Sequence, residues 1–134
     1  MRDAVRLLLV LALGLGATVS WSQTQGAPPP QYLPYAEFAS EDTAAQQSVK
    51  QGYNDAVERY NKALYDYHVT LGQHDQLVEQ HNRAQTPAEQ EKARADAAPL
   101  RAKLQTLRRD VTSLAAAVDQ ARRRASQSGV TLTR

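Results

Sequence analysis

The chain has 134 residues, 42% hydrophobic and 22% charged, with a formal net charge of +2 and no cysteine. Without thiols it has no disulfide framework, Cys-based zinc site or CxxC redox chemistry, so stability must come from packing or self-association. The small net charge hides an asymmetry: residues 23–99 carry six Lys/Arg and eleven Asp/Glu, and residues 100–134 carry eight Lys/Arg and two Asp.

Residues 1–22 read as a signal peptide. Arg2 and Arg6 form a positive n-region, Leu7 to Leu15 an apolar h-region, and Ser20 and Ser22 suit cleavage before Gln23. The apolar run is shorter than the roughly 20 residues a spanning helix needs. The expectation is therefore a cleaved, exported chain, periplasmic or secreted, with no stable membrane insertion after cleavage. Retention of the segment as an anchor is the alternative. Residues 23–39 read as a Pro-rich flexible linker, because Pro28-Pro29-Pro30 favours polyproline II and Pro34 interrupts any regular element. Tyr32, Leu33, Tyr35 and Phe38 make this linker sticky enough to dock on the body or to act as a recognition segment. A disordered tail is the competing reading.

A first helix is expected over about 40–84, with Ser40 as N-cap and Glu41 and Asp42 at the positive end of the dipole. Its centre repeats every seven residues: Tyr53-Asn54, Tyr60-Asn61 and Tyr67-His68 open successive units, with Val57, Leu64 and Leu71 four residues after each ring. His74, Val78 and His81 continue the stripe. Alternation by four and three is the seam of a left-handed coiled coil. Gln46 and Lys50 fall on the same stripe where aliphatic residues belong, so fraying is expected there.

Thr86-Pro87-Ala88-Glu89 is a helix start, with Thr86 as N-cap, proline at the first helical position and Glu89 completing a capping box. The second helix is expected over about 87–128. Its stripe runs Ala93, Ala97, Leu100, Leu104, Leu107, Val111, Leu114, Val118, Ala121 and Ala125 without a slip. Pro99 lies off the stripe, where it removes one backbone hydrogen bond and predicts a kink. Residues 129–134 form a C-terminal tail that begins at Gly129.

A reversal near residues 85 and 86 puts both stripes in one register. Leu71 then faces Leu100, Tyr67 Leu104, Leu64 Leu107, Tyr60 Val111, Val57 Leu114 and Tyr53 Val118. Two stripes read separately agree on one fold: an all-α, long antiparallel two-helix coiled-coil hairpin. One seam is little core for two long helices. Ala56, Ala63, Thr70 and Leu77 widen one face, and Ala115-Ala116-Ala117 offer another, so a homo-oligomeric helical bundle is expected.

Antiparallel pairing would also lay Glu41, Asp42, Asp55 and Glu58 beside Arg122, Arg123 and Arg124. That would account for the charge asymmetry without nucleic acid. The competing reading takes Arg101, Arg108 and Arg109, with Arg122, Arg123 and Arg124, as contacts for a partner or polyanion. His68, His74 and His81 are six and seven residues apart, not the four of a chelating helical pair, and no carboxylate pair completes a site around them. With no nucleophile motif and no phosphate loop, neither an enzyme nor a metal or cofactor site is expected.

The function expected is protein binding: a scaffold, adaptor or chaperone-like protein of the bacterial cell envelope. The leader, the lack of cysteine, the long helical arms and the basic C-terminal half are similar in general form to the Skp/OmpH periplasmic chaperones. That resemblance implies client holding. It is one of architecture without a shared motif: the arms are shorter, and the strands of that family's trimerisation body are missing or reduced to residues 130–134. The alternative is a basic-surface binder of extracellular nucleic acid or an anionic envelope polymer.

Overall fold

The computed structural model describes residues 31–132. The expected signal peptide, the triple proline and the last two residues of the tail lie outside them. The described residues form two helices, α1 (Ala44–Arg83) and α2 (Pro87–Gln127), packed against each other as a helical hairpin, with no strand among them. Each helix is about 60 Å long at 1.5 Å per residue.

Helix α1 starts later than expected. Thr43, not Ser40, is the N-cap: its hydroxyl accepts the Gln46 N–H, and the Gln46 side chain accepts the Thr43 N–H. Asp42 is drawn away from the helix end. Its Oδ2 accepts the Ala39 N–H at 2.8 Å and the Lys50 ammonium at 2.6 Å. This pair also corrects the expected fraying, because Lys50 occupies its stripe position by meeting a carboxylate there. The side chains are 7% and 9% exposed, so the charges are largely out of water and depend on each other.

The connection is Ala84, Gln85 and Thr86, and the capping box predicted for α2 is present. Thr86 Oγ1 accepts the Glu89 N–H at 3.3 Å, and Glu89 Oε2 accepts the N–H groups of Thr86 and Gln85 at 3.2 and 3.1 Å. Together these bonds hold the Glu89 carboxyl below the usual carboxylate range, the Thr86 side chain being the largest cause. Helix α2 runs through Pro99, which is exposed. It ends in a Schellman turn: Val130 N–H reaches the Ala125 carbonyl and Gly129 N–H the Ser126 carbonyl, with Gly129 at φ 68°. The turn swings the tail inward, burying Val130 and packing Leu132 on the core.

The core gathers at one end. Tyr53, Val57, Tyr60 and Leu64 of α1 and Val118 of α2 are buried together, with Val111, Leu114, Ala115 and Ala121 packed around them. Ala36, Leu33 and Leu132 join the same cluster from outside the helices. Toward the hairpin turn the buried side chains are Thr70, His74, Ala93 and Ala97.

Candidate interaction surface

Residues 32–39, expected as part of a flexible linker, lie along α1 as a strap, antiparallel to it. Two asparagines hold it. Asn61 Oδ1 accepts the Leu33 N–H at 2.8 Å, and its Nδ2 donates to the Leu33 carbonyl at 2.9 Å. Asn54 does the same for Ala36, at 2.6 and 3.0 Å. Each amide thus satisfies both backbone groups of one strap residue, as a neighbouring strand would. Tyr53 adds its hydroxyl to the Pro34 carbonyl at 3.4 Å, and the Tyr32 ring lies 6.4 Å from that of His68.

The spacing works because two repeats coincide. Asparagines seven residues apart on a helix are separated by about 10.5 Å at 1.5 Å per residue. Three residues of polyproline-like chain advance about 9.3 Å, and three of a strand about 10 Å. A helix side chain every heptad can therefore meet every third residue of an extended segment. Proline is excluded from the paired positions, which need an N–H, and Pro34 falls between them.

The same three-residue period sorts the strap's faces. Leu33, Ala36 and Ala39 turn inward, and Tyr32, Tyr35 and Phe38 turn outward at 54%, 52% and 51% exposure. The remaining exposed large hydrophobics, Tyr65 and Val69, are on α1, one turn after Asn61 and next in sequence to His68. Three of the five exposed large hydrophobic side chains among the described residues thus stand together on the strap. Apolar exposure gathered in this way marks an interaction site more often than scattered residues do.

Among the seam residues named from sequence, Tyr53, Val57, Tyr60, Leu64 and Val118 are buried; Tyr67, Leu71, Leu100, Leu104, Leu107, Val111 and Leu114 are half-buried. Arg101, Arg108, Arg109, Arg122, Arg123 and Arg124 are all exposed. Among the described residues, no ion pair joins the expected Asp55 or Glu58 of α1 to the arginines of α2. Arg122 pairs with Asp119 in its own helix at 3.1 Å, and among the described residues no carboxylate lies within ion-pair distance of Arg123 or Arg124. The other helix-borne pairs, Lys62–Asp66, Arg83–Glu79, Lys92–Asp96 and Arg94–Glu91, are likewise local. Local pairing prevails because side chains one turn apart meet without bridging the seam.

The three histidines do not converge. His68 is exposed, His81 half-buried, and His74 buried with its Nδ1 3.5 Å from the Asp75 carboxylate. No three His, Asp or Glu side chains come together as a metal site among the described residues. No described helix is long and apolar enough to cross a membrane.

Asn54 and Asn61 were not singled out from sequence. The signal was the recurrence of Tyr-Asn at 53–54 and 60–61: the tyrosine of each pair enters the core and the asparagine beside it meets the strap. Compared with models of protein families, with curated proteins and with solved structures, the chain matches none of them.

Proposed function

We propose that this chain is a non-enzymatic protein binder of the cell envelope, a scaffold, adaptor or chaperone-like protein built as an antiparallel coiled-coil hairpin that self-associates. What supports the binding reading is the aromatic face: Tyr32, Tyr35 and Phe38 are exposed on a strap whose backbone is fastened by four amide hydrogen bonds. Holding the strap in place removes much of the ordering cost that a free aromatic tail would meet on binding. The core residues Tyr53, Val57, Tyr60 and Leu64 recur at heptad spacing, which supports the coiled-coil register.

The test places a photo-crosslinking amino acid at Tyr32, exposed on the strap, in the exported chain. Identified envelope proteins should crosslink there, and Tyr35→Ala/Phe38→Ala should reduce their yield at least tenfold while helix content is unchanged. Equal yields with and without the aromatics would remove the reading. The register has its own check, since Leu64→Cys/Leu107→Cys should close an intramolecular disulfide in a chain that has no other cysteine.

A second reading has its own observation. Among the described residues no carboxylate pairs with the exposed Arg123 and Arg124 of α2, which favours an anionic envelope polymer or extracellular nucleic acid as ligand. Such binding should weaken steeply with added salt. Capture through the aromatic face should not.

A further inference from the structure

The strap shows what kind of ligand the side of α1 can hold, because it is one. Asn54 and Asn61 hydrogen-bond its backbone, and the inward side chains at the bonded positions are Leu33, half-buried, and Ala36, buried. We propose that this side of α1 is a peptide-binding cradle that takes an extended segment of another protein in place of the strap, and that the strap is its intramolecular occupant. The ligand class follows from the contacts. It needs a free N–H and carbonyl at two positions three residues apart, an apolar residue at the first and a small one at the second. Proline is allowed between them but at neither of them. Leu33-Pro34-Tyr35-Ala36 is this chain's own example.

The occupant committed to is a segment of a partner protein, not the strap of a second copy. A short tether presents the strap to its own cradle at an effective concentration of about 1 mM. An identical strap on another copy at micromolar concentration loses that competition. The turn at Ser40–Glu41 strengthens the tether further, since Asp42 binds both the Ala39 N–H and Lys50. A partner segment enters when it is abundant, when it binds better, or when the strap has been pulled away. The effective concentration also sets a limit: a strap that stays bound in its own chain must bind in trans with a Kd below about 1 mM.

This deepens the binding reading but uses the inward side of the strap site, whereas crosslinking at the aromatic face tests the outward side. Either can fail without the other.

The experiment keeps the full chain and releases the strap with Leu33→Pro/Ala36→Pro, which removes the two N–H donors the asparagines need. A fluorescent peptide of residues 32–38 is then titrated in by anisotropy. The released chain should bind it with a Kd below about 1 mM, and the wild-type chain at least tenfold more weakly. Adding Asn54→Ala/Asn61→Ala should abolish binding. A peptide with alanine at the Tyr35 position should bind like the parent, and one with proline at the Ala36 position should not bind. No saturation at several millimolar peptide, or binding unaffected by the asparagine substitutions, overturns the proposal. So does a concentration-dependent dimer of the wild-type chain that exchanges straps between copies. Should the released chain lose helix content by circular dichroism, the wild-type chain decides: excess peptide must speed amide exchange at Leu33 and Ala36, and unchanged exchange overturns the proposal.

Discussion

The two ends of this hairpin use the same helices and pack differently. At the end holding Tyr53 to Leu64 and Val118, extended chain adds to the core: the strap brings Ala36 and Leu33, and the C-terminal tail brings Leu132. Toward the connection, among the described residues, the two helices meet each other, and the buried positions are the small Ala93 and Ala97, with Thr70 and His74. A seam between two cylinders leaves each side chain open on its flanks. At the layered end extended chain covers one of those flanks.

Breaking that contrast should give the largest effect. Leu64→Ala removes a fully buried side chain from the layered end and should cost about 2–5 kcal/mol in denaturant unfolding. Val78→Ala, at a half-buried position near the connection, should cost about 1 kcal/mol or less, as expected where removed atoms were already partly in water. Equal losses at the two sites would mean that the strap and tail add no real core.

The Lys50–Asp42 pair comes next. Asp42→Asn keeps the shape and the acceptor for Ala39 but leaves the Lys50 charge buried without its carboxylate. The expected loss is about 2–3 kcal/mol, below the range for a deep interior pair because this one lies at an end of the rod. Asp42→Leu/Lys50→Met should recover part of it. A single substitution without effect on stability would show that the pair is solvated.

Removing one clamp should matter less globally and more locally. Asn61→Ala deletes both hydrogen bonds to Leu33, worth about 1–2 kcal/mol together. Amide exchange should speed up at Leu33 and Ala36 while the centre of α1 keeps its protection. If protection falls along the whole helix instead, strap and helix open as one unit.

The smallest effect belongs to the other end. Glu89 is held below its ordinary value of 4.5 by hydrogen bonds from Thr86 and Gln85. A depressed carboxyl pKa means that the unfolded chain takes up the proton first. The stabilisation is therefore present above the unfolded value and lost as pH falls through the folded one. Acidification from pH 5.5 to 3.5 should loosen the first turn of α2, seen as faster exchange at Glu89 and Gln90, and Glu89→Ala should abolish that pH dependence. The Glu89 carboxyl is exposed, so little change in overall stability is expected.

Sequence by itself determined the two helices, the place where the chain reverses, the Thr86 capping box and the heptad recurrence of the buried Tyr53, Val57, Tyr60 and Leu64. These features are local or periodic: a cap is decided within four residues, and a stripe by the pitch of the helix. The tertiary structure decided what those rules do not reach. Lys50 looked like a break in the stripe because its partner, Asp42, lies before the helix, on a turn whose path depends on the strap. Antiparallel register lays Asp55 and Glu58 beside the arginines of α2, yet pairs one turn apart form more readily than pairs across a seam. Asn54 and Asn61 carry no local signal of a partner, and only in the fold does an extended segment lie against them. Their role depends on a match between a heptad and a three-residue repeat in two separate stretches of chain, and only packing brings those repeats side by side.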